Sequence, residues 1–194
     1  MSKRNAILAA ATHLFSRNGF KGTAMSELST VTGAATGTIF HHFASKEGLF
    51  LEVLKDVKES IFDQFDRHQN NRSAGNGIVM VEEAVSFYLH LAGTMEDRFL
   101  ILHRHFPYQM AETSAVCRNH LEAIYTSLLD IFEEGIRRGM EDGTVRVDDA
   151  RKTAMVLFAM VDGIVRLNTY HVYDAGALFD TLMTACRRLL QKGV

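Results

Sequence analysis

Apolar residues recur at the spacing of amphipathic α-helices through most of the chain, and a single proline, Pro107, interrupts them. No segment shows the apolar and polar alternation of a half-buried strand. Of the 194 residues, 47% are hydrophobic and 23% charged, so the chain can bury a core and is not disordered. We therefore predict an all-α protein.

The first helix is predicted over residues 4–17, where apolar side chains form one face. Asn18-Gly19 is expected to end it, because both residues tolerate the left-handed backbone of a helix C-terminus. Thr23 is placed to cap a second short helix, whose apolar residues are expected to face inward. Those residues are Met25, Leu28 and Val31.

Gly33 is expected to form the turn into a third helix over residues 34–43. Ser45 has the position of an N-cap for a much longer helix that runs to about residue 67. Two short helices joined by a glycine turn are the essentials of a helix-turn-helix. We predict a helix-turn-helix domain over residues 1–48 and a second helical domain over residues 49–194.

Charge separates the same segment from the remainder. Residues 1–50 carry five basic and two acidic residues, whereas the whole chain has a net charge of -2. A basic segment on an acidic body indicates that the first fifty residues meet a polyanion.

An ordered set of residues carries a more specific signal. In chain order it reads Ile7-Leu8-x-Ala10-Ala11-x-x-Leu14-Phe15-x-x-x-Gly19-Phe20-x-x-Thr23, Met25-x-Glu27-Leu28 and Gly33-x-x-x-Gly37-Thr38-Ile39-Phe40-x-His42-Phe43-x-Ser45-Lys46-Glu47-x-Leu49. This set resembles the DNA-binding domain of the TetR family of transcriptional regulators. The resemblance implies an N-terminal three-helix helix-turn-helix domain, followed by a C-terminal helical ligand-binding and dimerisation domain. It also implies a repressor that binds a palindromic operator in double-stranded DNA as a homodimer.

The candidate DNA-binding residues lie at the start of the second helix, on the third helix and at the start of the long helix. Gly37 lets the backbone approach a surface, Thr38 offers a hydroxyl, and Lys46 joins a cation to free backbone N–H groups. The outer side of the third helix would enter the major groove, with His41 facing DNA and His42 partly packed. The full set is Thr23, Ala24, Thr36, Gly37, Thr38, Phe40, His41, His42 and Lys46.

The third helix departs from the family pattern. Phe40 stands where relatives often have tyrosine, and Ala34 and Ala35 replace valine and serine, which weakens the helix cap. The helix has no arginine, lysine, glutamine or asparagine, so bidentate reading of guanine and adenine is absent. Sequence preference is expected from His41, from contacts of Thr36 with thymine methyl groups, and from DNA shape.

Beyond a polar loop at residues 70–77, the helical pattern is expected to break at Gly93 and at Pro107. Asp148 or Asp149 is expected to cap a helix that reaches about residue 170. This helix is apolar over most of its circumference, which is more than one packed face requires. The TetR resemblance implies that the last two helices pair with a second copy of the chain, and this additional apolar surface is compatible with that pairing.

Large aromatic, methionine and histidine side chains of the second domain indicate a site for a small, apolar or aromatic effector of unknown identity. The candidates are Phe87, His90, Met95, Phe99, His103, Phe106, Tyr125 and Phe158. Each of them is also compatible with ordinary core packing.

Two other function classes were weighed. The sequence lacks the catalytic residues of a helical hydrolase or a di-metal carboxylate enzyme, because the adjacent acidic pairs point in different directions and no nucleophile elbow is present. A ligand-binding protein without DNA affinity conflicts only with the N-terminal motif. Metal ligation by His103 with His105, or by Cys117 with His120, lacks a second cluster. We predict no enzyme, no cofactor and no metal.

No apolar run approaches the roughly 20 residues of a membrane-spanning helix. The two cysteines form no framework, which fits a reducing compartment, and no signal peptide is recognisable. The sequence therefore predicts a cytoplasmic protein without a membrane partner.

Overall fold

The computed structural model describes residues 2–70 and 75–191. Within these residues the chain forms ten α-helices, one 3-10 helix and no strand, which confirms the predicted all-α fold. The helices are α1 (Lys3–Gly22), α2 (Met25–Thr32), α3 (Thr36–Phe43), α4 (Lys46–Asn70), α5 (Gly77–Thr94), α6 (Glu96–His103), α7 (His105–Thr113), α8 (Ala115–Asp142), α9 (Ala150–Thr169) and α10 (Phe179–Leu190). The 3-10 helix, Gly176–Leu178, precedes α10. Among the described helices, none has the length and apolar character to cross a membrane.

Two compact units divide the chain, and each is drawn from two stretches of sequence. The first contains the described residues up to Ile61 together with Met95–Ala123. The second contains the described residues of Phe62–Thr94 and those from Ile124 onward. Helices α6 and α7 thus belong to the same unit as the N-terminal helices. The division into domains 1–48 and 49–194 stays a prediction.

The junction of α1 and α2 is set by Gly19, whose φ of 71° breaks the helical run at the predicted position. Thr23 is buried, and its hydroxyl donates to the carbonyl oxygens of Leu14 at 3.2 Å and Gly19 at 2.9 Å. Ala24 is the N-cap residue of α2, without a side-chain bond, so the predicted cap at Thr23 is wrong. The turn at Gly19 brings both carbonyls within reach of this hydroxyl, which then bonds back to α1 instead of forward to α2.

The turn between α2 and α3 is the predicted one, because Gly33 is left-handed with φ 65°. The Ser29 hydroxyl donates to the carbonyl oxygen of Ala34 at 2.7 Å and fastens the turn. Leu28 is buried, but Val31 is 62% exposed, so its predicted inward orientation is wrong. Helix α2 has only eight residues, and Leu28 is the side chain that it buries. Val31 lies on the part of the helix that faces solvent.

The junction of α3 and α4 is close. The backbone N–H of Gly48 donates to the Ser45 hydroxyl oxygen at 2.9 Å, which confirms the predicted N-cap. A side chain at Gly48 would collide with the carbonyl oxygen of Phe43. Glycine therefore allows the last turn of α3 to rest on the first turn of α4.

The predicted breaks between helices at Gly93 and at Pro107 are wrong. Helix α5 continues through Gly93 to Thr94, and the chain breaks at Met95, the N-cap residue of α6. Pro107 lies in the first turn of α7, where a missing N–H costs no helical hydrogen bond. The second break falls at Arg104. Of the predicted polar loop, residues 71–74 lie outside the described residues.

In the second unit, α5 crosses α8 at two glycines. A side chain at Gly77 would collide with the backbone of Gly139, and the Gly77 N–H donates to the Asp142 carboxylate at 2.7 Å. Helix α9 starts at Asp149, whose carboxylate accepts the Lys152 N–H at 3.0 Å, as one of the two predicted caps.

Candidate DNA-binding surface

Helix α3 has a buried inner side and an exposed outer side. Ile39 and Phe43 are buried, whereas Gly37, His41 and His42 are exposed. Thr36 and Thr38 are half-buried, and Phe40 is 39% exposed. The exposed set is polar or aromatic and spans about two turns, which is the part of a helix that a major groove admits. As predicted from the alanines, the N-cap residue Ala35 makes no side-chain hydrogen bond.

The space next to the backbone of Gly37 is empty. A side chain there would meet no atom of the chain within 4 Å, and the backbone is helical. The packing of the domain therefore does not require glycine at this point. The free space lies on the outer side of α3, where a second molecule can approach the backbone.

Lys46 begins α4 next to the Ser45 cap. Its ammonium nitrogen lies 4.6 Å from the centroid of the Phe20 ring, a cation–π contact. Burial lowers the pKa of Lys46 from its ordinary value, and the Glu47 carboxylate partly offsets this. First-turn backbone N–H groups of a helix lack intrahelical partners, so the ammonium and the start of α4 together favour an anion.

The two candidates at the start of α2 differ. The Thr23 hydroxyl is engaged with two carbonyl oxygens inside the domain, whereas Ala24 is exposed. A polar contact of this segment with a phosphate would therefore come from the backbone of Ala24 or the exposed hydroxyl of Ser26, which the sequence reading did not include.

A polar cluster fastens α1 to the residues around α6. The Asp97 carboxylate accepts hydrogen bonds from the Ser16 hydroxyl at 2.7 Å and the His13 ring at 2.9 Å. The Arg104 guanidinium donates to the carbonyl oxygens of Ser16 at 2.7 Å and Arg17 at 2.8 Å. These bonds satisfy carbonyls near the kink of α1 and hold α1 against α6.

The predicted effector residues fall into both units. Met95, Phe99 and His103 are buried in the first unit, where half-buried Phe106 stacks on Phe20 with centroids 3.8 Å apart. No local signal in the sequence pairs Phe106 with Phe20, because 86 positions separate them.

In the second unit, the rings of Tyr125 and Phe158 meet edge to face at 6.0 Å, within a cluster that includes Tyr88. The Tyr88 hydroxyl donates to the Asp162 carboxylate at 2.6 Å. Phe87 is buried, whereas His90 is exposed.

A cleft of about 570 Å³ opens in the second unit, bounded by residues of α5, α9 and the start of α10. None of the eight predicted effector residues lines it. Among the described residues, no three histidine, cysteine or carboxylate side chains come close enough to hold a metal ion.

Known proteins are similar to this chain in sequence and in fold. Residues 7–53 match the sequence model of the family described as bacterial regulatory proteins, tetR family. The chain is 25% identical over 169 residues to the HTH-type transcriptional regulator QacR of Staphylococcus aureus, with 85% of each chain covered. It is 32% identical over 66 residues to the transcriptional repressor KstR2 of Mycolicibacterium smegmatis, which covers 34% of this chain and 32% of that protein. As predicted, residues 7–53 have the sequence of a TetR-family N-terminal domain.

A solved regulator also has the fold of this chain. FadR of Bacillus subtilis, in complex with stearoyl-CoA, superposes with a TM-score of 0.74 at 17% identity, covering 98% of this chain and 99% of that one. The relatives are DNA-binding transcriptional regulators, which confirms the predicted function class and the prediction that the protein is not an enzyme. The chain is a helix-turn-helix transcriptional regulator, and α3 corresponds to the segment expected to read DNA.

Proposed function

We propose that this TetR-family regulator is a cytoplasmic, ligand-responsive repressor that binds a palindromic operator as a homodimer. The observation that carries the proposal is the outer side of α3, where Gly37, Phe40 and His41 are exposed beside open space. Lys46 supplies a cation at one end of this surface. Phosphate contacts would position the helix and the exposed side chains would read the groove.

Apolar side chains left exposed on α9 and α10 support the dimer. Met155 and Val156 are 54% and 52% exposed, and Phe179 and Leu189 are 36% and 37% exposed. A chain that reads both halves of a palindrome needs a two-fold partner, and these helices offer the apolar surface for it.

The effector proposal is supported by the aromatic residues of the second unit and by the ligand-bound relative. Tyr125 and Phe158 belong to a ring cluster that also contains the partly buried hydroxyl–carboxylate pair of Tyr88 and Asp162, a combination suited to a mainly apolar ligand with a polar group. The effector would bind better to a form in which α4 has shifted, so that the two α3 helices no longer match the half-site spacing. Operator and effector would then weaken each other to the same degree.

Selection of random-sequence DNA by the purified protein tests the DNA part of the proposal. The bound pool is sequenced after several rounds at moderate salt. We expect an enriched inverted repeat whose half-sites lie roughly 34–36 Å apart, one helical turn of DNA. Binding without a shared sequence would contradict a specific operator.

The regulatory part needs a second experiment. Native mass spectrometry of the purified protein would identify a co-purified small molecule, and the selected operator would serve as the probe for its effect. We expect the ligand to release the operator and to restore transcription in vitro from a promoter that contains it. A ligand that strengthens operator binding would reverse the proposed regulation.

A further inference from the structure

Three groups form a stack that joins α7 to the start of α4. The Phe20 and Phe106 rings are stacked at 3.8 Å with an interplanar angle of 5°. The Lys46 ammonium lies 4.6 Å from the centroid of the same Phe20 ring. Because Phe106 covers one face of Phe20 at van der Waals distance, the ammonium lies over the other face. Phe20 therefore stands between an α7 side chain and the cation.

Other rings fix the plane of Phe20. Buried Phe50 meets Phe20 edge to face at 5.6 Å and meets Phe106 edge to face at 5.0 Å. Buried Phe15 packs on both Phe20 and Phe50. In this cluster, Phe20 stacks on Phe106 and on Phe15, has an edge contact with Phe50, and carries the Lys46 ammonium over its ring. Removal of the Phe106 ring would leave a gap into which Phe20 can tilt.

We propose that Phe106 is a positioning residue for DNA binding, which holds the ring of Phe20 and through it the ammonium of Lys46 toward a DNA phosphate. This inference rests on the proposed function, because it assigns the anion that Lys46 meets. A free lysine side chain samples many rotamers and loses that freedom on binding. A lysine already placed over a fixed ring loses less, so the contact forms at a lower cost in conformational entropy.

The phosphate contact of Lys46 thus depends on a residue outside the helix-turn-helix. Phe106 is separated from Lys46 by 60 positions and lies in α7, among residues that the sequence suggested for an effector. Helix α7 therefore acts on the DNA-binding surface through one aromatic face. A merely structural Phe106 would stabilise the unit without changing where the Lys46 ammonium lies.

The first test needs no DNA. In protein labelled at lysine, the methylene protons next to the Lys46 ammonium should resonate upfield because of the Phe20 ring current, and Lys46→Arg assigns the signal. Phe106→Leu should move this signal toward the value of an exposed lysine. Phe106→Tyr keeps the ring and should leave the signal in place. Phe132→Leu, the loss of a buried ring in α8, is the matched control and should also leave it in place. An unmoved signal in folded Phe106→Leu overturns the inference.

The second test measures binding of the selected operator as a function of salt. Each phosphate contact contributes about 0.9 to the slope of log affinity against log salt concentration. Lys46→Ala should lower the slope by about that amount per protomer, and Phe106→Leu should lower it in the same direction. The salt slope of the double variant should be no lower than that of Lys46→Ala alone. Phe106→Tyr should keep the slope of the unsubstituted protein.

The two tests separate the possible failures. Weaker binding of Phe106→Leu at an unchanged slope, or additive effects in the double variant, would overturn the positioning role. Absence of any salt-dependent DNA binding by the unsubstituted protein would overturn the proposed function and the phosphate role with it. A moved Lys46 signal in that case would still establish the link between Phe106 and the cation.

Discussion

At the scale of single residues, Gly37 is the sharpest probe of the proposed DNA surface. Alanine is favoured over glycine inside helices, and a side chain at this position meets no atom of the chain within 4 Å. Gly37→Ala should therefore leave the melting temperature unchanged or raise it slightly. If DNA approaches the backbone there, a methyl group should weaken operator binding about tenfold, which corresponds to about 1.4 kcal/mol.

The matched control for this prediction is Gly93→Ala. Gly93 is also helical, exposed and free of atoms within 4 Å of an added side chain, but it lies in α5 of the second unit. Its operator affinity should equal that of the unsubstituted protein. Equal affinities for both variants would show that DNA does not contact α3 at Gly37.

His41 and Lys46 should affect binding in different ways. A lysine that meets a phosphate contributes equally to every sequence, so Lys46→Ala should weaken all duplexes alike and lower the salt slope by about 1 per protomer. His41 is exposed on α3, and His41→Ala should change the preference among sequences. Affinities for the selected operator and for single-base variants of it measure both effects. A uniform loss in His41→Ala would remove this residue from base readout.

At the scale of elements, the attachment of α1 to the α6–α7 junction makes Arg104 a strong structural link. Its guanidinium donates to two α1 carbonyls, those of Ser16 and Arg17, beside the Gly19 kink. Arg104→Ala should lower the free energy of unfolding by about 1.5 to 3 kcal/mol, the range for hydrogen bonds that involve a charged group. Denaturant unfolding followed by circular dichroism measures this change, and operator affinity should fall with it.

Arg118 is the control for Arg104. It also donates two guanidinium hydrogen bonds to a backbone carbonyl oxygen, that of Ala111, but across a local turn between α7 and α8. Arg118→Ala should lower stability less and should not change operator affinity. If both variants lose operator affinity alike, the contact with α1 has no special part in holding the DNA-binding helices.

The elements themselves were largely predictable from sequence, because their determinants are local. The left-handed turn at Gly33 and the Ser45 cap each depend on a few neighbouring residues. The orientation of Thr23 was not predictable, since its hydroxyl could bond backbone groups of α1 or of α2. The turn at Gly19 brings the carbonyls of α1 within reach and so decides between them. The stack of Phe20 and Phe106 depends on the packing of distant helices, and no periodicity encodes it.

At the scale of the whole molecule, the proposed homodimer needs a surface that is exposed in one chain and covered by the second copy. Helix α9 buries one face, with Ala154, Leu157 and Val161, and leaves a second face exposed. The second face includes Val156 and the small residues Ala159 and Gly163, which lie three or four positions apart. Small residues at helical spacing allow a second helix to approach closely. This exposed face is therefore the expected centre of the dimer.

Val156→Glu tests this assembly, because a carboxylate buried against a partner helix loses its hydration without gaining a pair. Val156 is already 52% exposed in one chain, so the folded monomer should tolerate the change. Val116→Glu in α8 is the matched control, since that valine is 53% exposed outside the proposed interface. Sedimentation should find Val156→Glu monomeric and Val116→Glu dimeric. With only one α3 available, the monomer should bind the inverted repeat no better than an isolated half-site. A dimeric Val156→Glu protein would place the two-fold contact on another surface, while a monomer that still distinguishes the whole repeat from its half would remove the requirement for two copies.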